Sequence, residues 1–564
     1  MRSKRIVLRN DHTLLLWFIV AWVIINLLQA SFIGVDEDEA YYWIYSRHLQ
    51  WGYFDHPPMV ALAIKIGELF GHNPLTTRLM AILFSGGTIF LTFKALPSNL
   101  RNRKLFILLF SSVIIFHPYS FVITPDSFLL FFTALFFYAY RLYLENEKPS
   151  NVFFLALAII GLFYSKYQGV LPVLFTFLSN PRLIFKKSAW AVVLTVLICF
   201  SPHLWWQYKH DWPSLHFHFF ERMASGYKIS KTTNYLISHV LIWGPLTTIP
   251  ALIGFLRLRS RDLYMRAHYY CFWGIFIFFF LFSFRSTIEP HWVLVAGISF
   301  IVLLQDLITH SSAKTKKIFV ALAWANIAIA IVVRVFLFIP NTPLAQFGKL
   351  RYMFYGRSWA DEVYKYTGGE PIVFIDSYGR PSIYSYYHRN ALISDYNTVE
   401  YRKTYFNYSN DETLLNNKRV YLYDRSKIEQ RDVAETKMIP TCLQILDSFR
   451  AVNNLKIQWK NQEKQMRPGD STEALLTLSN IGNERINLSG LYINYTFFKT
   501  RKNFKSSENR VALSAEELLP GGKQLIKIQI KAPSTPGKFR LLYSVIQKPI
   551  EGTIASPYFN VVIK

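Results

Sequence analysis

Apolar stretches long enough to cross about 30 Å of hydrocarbon recur from residue 14 to residue 339. The pattern predicts eleven membrane spans, at 14–33, 75–96, 105–123, 127–144, 151–165, 168–180, 189–207, 235–256, 268–284, 291–308 and 318–339. The fifth and sixth are short and read as a tight helical pair. Beyond Pro340 no run is long enough to span, and short strands between turn residues take over. Residues 371–389 (PIVFIDSYGRPSIYSYYHR) read as a buried strand, a Gly-Arg-Pro turn and a helix, and 419–424 (RVYLYD) as a second strand. That predicts a small α/β domain over 341–454. From residue 455 the runs EALLTLSNIG, INLSGLYINYTFF, KQLIKIQIKA, KFRLLYSVIQK and YFNVVIK alternate with Pro-Gly turns. They predict an immunoglobulin-like β-sandwich over 455–564. The expected architecture is a multi-pass α-helical membrane domain, 1–340, followed by these two domains.

Composition sharpens this picture. The chain is 52% hydrophobic and 17% aromatic, and its 17% charged residues fall below the roughly 25% of soluble proteins. So many aromatics exclude a disordered chain. Three cysteines, Cys199, Cys271 and Cys442, exclude a disulfide scaffold. The net charge of +26 invites a nucleic-acid reading, but its placement argues for topology instead. Arg2, Lys4, Arg5 and Arg9 precede the first span. Alternate loops carry Arg101, Arg103 and Lys104; Lys148; Arg182, Lys186 and Lys187; Arg257, Arg259, Arg261 and Arg266; Lys314, Lys316 and Lys317. With eleven spans these loops share one side, which the positive-inside rule makes cytoplasmic. The N-terminus is then cytoplasmic and residues 340–564 lie outside. The first span lacks a clear cleavage site and reads as an uncleaved anchor.

The polar motifs fall on the opposite, outer side. The first outer loop holds Asp36-Glu37-Asp38-Glu39 and then Asp55-His56-Pro57-Pro58. Later turns hold Thr124-Pro125-Asp126-Ser127, Ser165-Lys166-Tyr167, and Arg285 with Glu289-Pro290-His291-Trp292. Ionisable groups at membrane depth are costly and mark function by default. Each has a plain alternative. The acids at 36–39 suit a helix N-terminus. His56 suits a turn, Asp126 suits the N-cap of the fourth span, Lys166 can snorkel, and His291-Trp292 can belong to an aromatic belt. Their convergence on one face is the stronger signal. A carboxylate in a wet cavity can act as a base on a hydroxyl, while His56, Lys166 and Arg285 suit a phosphate. A phosphate ester leaves without protonation, so one carboxylate suffices. The residues alone therefore reach group transfer from a lipid phosphate, with no nucleic acid involved.

The runs Asp38-Glu39-Ala40-Tyr41-Tyr42-Trp43 and Trp51-Gly52-Tyr53-Phe54-Asp55-His56-Pro57-Pro58 resemble glycosyltransferase family 39 of the GT-C superfamily. That family includes bacterial relatives of dolichyl-phosphate-mannose–protein mannosyltransferases and of the lipid A aminoarabinose transferase. The resemblance covers roughly residues 10–310. It implies an inverting glycosyltransferase of the inner membrane. Such an enzyme moves a sugar from a polyprenyl-phosphate donor to a hydroxyl of lipid A, a protein or a polysaccharide. It makes Asp38 the base, with Glu39 beside it. Asp36-Glu37 upstream leaves the register between the two acidic pairs open. Asp55, His56, Lys166, Arg285, Asp126 and His291 then bind substrate, His56 matching a lysine that serves the lipid phosphate. Some relatives hold a divalent metal, for which Asp55, His56 and His291 are the candidate ligands; no other cofactor is implied. The competing readings are a flippase of lipid-linked sugars and a surface assembly protein working through its β-sandwich.

Overall fold

The computed structural model describes the chain except residue 1 and residues 219–226, 259–261, 341, 347, 349, 410, 428–438, 500–509 and 514–516. Arg259 and Arg261 thus lie outside the described residues. The chain divides into two compact units, Met1–Tyr355 and Gly356–Lys564.

The first unit is helical: α1 Arg2–Phe32, α2 Glu37–Arg47, α3 Met59–Gly67, α4 Pro74–Ala95, α5 Arg103–Ser112, α6 Pro125–Glu145, α7 Pro149–Ser165, α8 Val170–Ser179, α9 Lys187–Lys209, α10 Pro213–His216, α11 Ile229–Trp243, α12 Thr248–Phe255, α13 Leu263–Ser283, α14 Gly297–Thr309 and α15 Ala313–Phe336. Among the described residues seven helices are long and apolar enough to cross a membrane. The other four predicted spans are less regular. Helices α11 and α12 meet at a bend of 101°. The bend falls at Gly244, whose φ of 128° favours glycine and whose missing Cβ would press on Asn326 Nδ2 at 2.4 Å. The predicted span 105–123 breaks after Ser112 into the short 3₁₀ turns Ile114–Phe116 and Pro118–Ser120. The fifth and sixth are the shorter apolar helices Pro149–Ser165 and Tyr167–Ser179. Lipid-facing side chains such as Trp17, Leu194 and Ile198 are exposed, as expected of helices whose solvent is hydrocarbon.

The second unit contains most of α16 (Leu350–Thr367), then α17 (Gly379–Tyr387) and four strands: β1 Ile372–Ile375, β2 Ile393–Tyr396, β3 Val420–Tyr423 and β4 Leu443–Leu446. Their order is β2-β1-β3-β4, with β1 parallel to both β2 and β3. Residues 455–563 follow with strands in two larger sheets. One is the three-stranded β12-β7-β5 sheet (Lys523–Lys531, Ser471–Asn480, Leu455–Trp459), and the other is built around β13, Gly537–Gln547. Val373, Tyr396 and Leu422 share one hydrophobic core with sandwich residues such as Ile457, Leu476 and Tyr543.

Glu412 is sealed in this unit, where its carboxylate accepts the backbone N–H of Val452 (3.3 Å) and Asn453 (3.0 Å). Burial outweighs these bonds and raises its pKa to about 7. A raised acid pKa means the folded unit binds a proton that the unfolded chain has already released. Stability therefore falls as pH climbs from the ordinary carboxyl range through 7, by up to about 3 kcal/mol. Thermal melts of this transition at pH 5 and pH 8 should differ in that direction, and Glu412→Gln should flatten the difference.

Candidate functional site

The site is assembled at the N-terminal ends of α2 and α6 and the C-terminal end of α7. Asp36 is the N-cap of α2: its carboxylate accepts the N–H of Glu39 at 2.8 Å, while Glu39 accepts the N–H of Asp36 at 3.1 Å. This is a capping box, and the Asp-x-x-Glu spacing that makes it is present in the sequence. Glu39 is fully buried. It receives Arg78 in a fork, Nε to Oε1 at 2.7 Å and Nη2 to Oε2 at 2.5 Å, and also the N–H of Ile123 at 2.9 Å. Both its oxygens are thus engaged in holding the start of α2 to α4 and to the segment before α6. Arg78 further donates to the carbonyls of Ile33 and Gly34 at 2.8 and 2.6 Å, tying α1, α2, α4 and the segment before α6 together.

Asp38 lies in the first turn of α2, half-buried. Its charge bears on both Asp126 and Tyr119. Asp126 lies in the first turn of α6. The N-cap there is Thr124, with Pro125 between them, so the expected N-cap role of Asp126 is corrected. Because three residues join α6 to α7, the two helices run antiparallel, and the start of one meets the end of the other. Gly161 permits the close approach, since a Cβ there would lie 2.1 Å from the Phe132 ring. Lys166, the C-cap of α7, then reaches Asp126 Oδ2 at 2.6 Å, both side chains almost fully buried. His291 Nε2 is 3.9 Å from the same oxygen. The other oxygen, Oδ1, is buried without a hydrogen-bond partner among the described residues.

A second network holds the first outer loop. Tyr167 hydroxyl donates to Ser214 Oγ at 2.8 Å, and Ser214 donates to the carbonyl of Phe54 at 2.8 Å. His203 Nδ1 meets the carbonyl of Trp51 at 2.7 Å, and Gly52 packs on Trp206 where no Cβ fits. Asp55 Oδ1 accepts from Tyr45 hydroxyl at 2.6 Å, and Tyr45 stacks on Tyr53 at 4.2 Å. His56 Nε2 is 3.2 Å from Tyr42 hydroxyl. Below this network an apolar cavity of about 440 Å³ is lined by Phe163, Leu171, Phe200, Phe282 and Trp292, with Tyr167 and Ser286 at polar positions.

Asp38, Asp126, Lys166 and His291 therefore come together, and His56 and Asp55 stand on the adjoining loop. Lys166 is ion-paired with Asp126, where the sequence suggested a cation awaiting phosphate. Arg285 is exposed and joins the group through no described side-chain contact; its backbone carbonyl receives Lys231 Nζ at 3.4 Å. Its neighbour Ser286 lines the cavity. The proposed metal set does not assemble. Among the described residues no three His, Cys, Asp or Glu side chains converge as a metal requires, and Asp55 is turned to Tyr45. Arg78, Tyr119 and Lys231 are additions. Arg78 and Lys231 had a signal in the sequence, an ionisable residue within or beside an apolar run.

Comparison with known proteins bears on the fold. The family described as dolichyl-phosphate-mannose-protein mannosyltransferase matches residues 55–206. A lipid A galacturonosyltransferase of Rhizobium johnstonii is 24% identical over 224 residues, 35% of this chain and 44% of that protein. The chain thus spans less than half the length of that curated relative. Crystal structures of ArnT from Cupriavidus metallidurans share the fold. The apo form has a TM-score of 0.53 and 12% identity, covering 74% of this chain and 94% of the other. The form bound to undecaprenyl phosphate has a TM-score of 0.52 and 13% identity, covering 73% and 93%.

Proposed function

We propose that this multi-pass membrane protein is a glycosyltransferase of the family-39-like GT-C kind that it resembles, and that it moves a sugar from a polyprenyl-phosphate donor to a hydroxyl acceptor on the outer face of a bacterial inner membrane. The observation that carries this reading is one arrangement. Asp126, held by Lys166 and faced by His291, feels the charge of Asp38, and the next residues along the chain, Tyr167 and Trp292, line an apolar cavity. A polyprenyl chain is the ligand that suits such a cavity in a membrane protein, because its phosphate stays in the polar rim while its hydrocarbon fills the apolar part.

In this reading Asp38 accepts the proton of the acceptor hydroxyl. The oxygen bonds to the anomeric carbon from the face opposite the phosphate, and the anomeric carbon–phosphate oxygen bond breaks. The phosphate leaves with the electron pair and needs no proton, so no acid partner is required, unlike in ordinary glycoside hydrolysis. Lys166 orients Asp126, whose Oδ1 has no hydrogen-bond partner among the described residues and accepts a hydroxyl of donor or acceptor. His56 and His291 meet the phosphate. No step is assigned to a metal.

A photoreactive polyprenyl-phosphate analogue tests the donor site. It should label peptides holding Leu171 or Phe282, and unlabelled polyprenyl phosphate should compete while the uncharged polyprenol competes at least tenfold less well. Labelling confined to the outer lipid-facing helices, or equal competition by both, contradicts the proposal.

A further inference from the structure

The outward face of the three-stranded β12-β7-β5 sheet is unlike the rest of the second unit. The six-stranded sheet is covered on its outer side. Val399 packs there with Phe498 and Leu542, and its N–H donates to the carbonyl of Gly552 at 2.8 Å. The smaller sheet carries alternating exposed and inward residues. Along β12, Lys523, Leu525, Lys527, Gln529 and Lys531 point out, while Ile528 and Ile530 are buried. The register aligns Lys523 with Ser479 and Lys456, and Leu525 with Thr477 and Gln458. Lys460, just past β5, donates its N–H to Leu475 and so extends the row of Lys527. Five lysines thus share the face. Glu473 is the single acid at the outward strand positions, and it pairs with Lys527 at 3.1 Å.

Strands lie about 4.8 Å apart and rise about 3.4 Å per residue. Lysines on β12 and β5 therefore stand about 10 Å apart across the sheet, and those along β12 about 13 Å apart. Between them lie the polar side chains of Ser479, Gln458 and Gln529 and the exposed Leu525, while Thr477 is buried. No aromatic side chain occupies an outward position of these strands. Lysines on edge strands also discourage sheet-to-sheet association, and one per edge does that. Five on one face, with hydrogen-bonding groups between, suit a ligand that is both anionic and polyhydroxylated.

We infer that this sheet face binds an acidic polysaccharide. The inference goes beyond the transferase reading and does not depend on it, because binding is read directly. The probe is polygalacturonate, with dextran as its neutral counterpart, added to the full chain in nanodiscs of zwitterionic lipid. Binding to polygalacturonate and not dextran is expected, weakening as salt rises. The triple variant Lys523→Gln/Lys527→Gln/Lys531→Gln should bind at least tenfold more weakly. Should that variant aggregate, Lys456→Gln/Lys460→Gln on the opposite edge decides, with a weakening of at least threefold expected. Equal binding by wild type and variants overturns the inference and leaves edge protection. Tighter binding of anionic phosphatidylglycerol vesicles than of polygalacturonate overturns it in favour of a lipid surface.

Discussion

Replacing Asp38 by Asn is expected to lower sugar transfer by roughly 10²–10⁴-fold, the usual contribution of a general base, without unfolding the membrane unit. The structural reason is a division of labour within four consecutive acids. Asp36 makes the cap of α2, and Glu39 makes the ion pair with Arg78. Both survive the substitution, and Asn keeps the shape of Asp38. Asp36→Ala is the control. It removes a cap worth about 1 kcal/mol but spares the base, so it should cost stability more than turnover. Initial rates with a polyprenyl-phosphate sugar, set beside thermal melts in detergent, separate the two. Equal losses of turnover in both variants would place the chemistry elsewhere in α2.

Arg78→Met should have the largest effect on folding. Arg78 and Glu39 are fully buried, joined by two hydrogen bonds, and Arg78 also satisfies backbone carbonyls at the end of α1. Removing one member of such a pair leaves a charge with no water to solvate it, which costs about 3–5 kcal/mol. The expected outcome is a large drop in the yield of monodisperse protein and in melting temperature. Glu39→Gln/Arg78→Met removes both charges and should recover part of the loss. A variant Arg78→Met that melts with the wild type would contradict this account of how α2 is anchored.

These predictions also mark what the chain discloses before it folds. The helical unit was legible because apolar runs have a length that only a membrane explains, and because Arg101–Lys104 and similar basic runs recur in every other loop. The acidic register was legible in part. Asp36 and Glu39 stand in capping-box spacing, a local rule, whereas the choice of Asp38 rests on the resemblance carried by the Ala-Tyr-Tyr-Trp run that follows the acids. Tyr119 was hidden in a run read as one straight span. The break after Ser112 and the turn at Pro118 place it among the acids instead. The pairing of Lys166 with Asp126 was not legible, because it depends on how closely α6 and α7 pack across 40 residues of chain, and Gly161 sets that distance. The exposed position of Arg285 was not legible for a related reason: sequence places a residue at one end of a helix but does not say which way it faces.

The central claim is that sugar leaves a lipid phosphate in this site. The most direct measurement is mass spectrometry of lipids and glycans from cells expressing the wild-type chain, no chain, or Asp38→Asn at matched levels. The account predicts a sugar addition to one envelope component that is present only with the wild type, and an accumulated polyprenyl-phosphate sugar in the other two. Identical profiles in all three, or the addition persisting with Asp38→Asn, would contradict it.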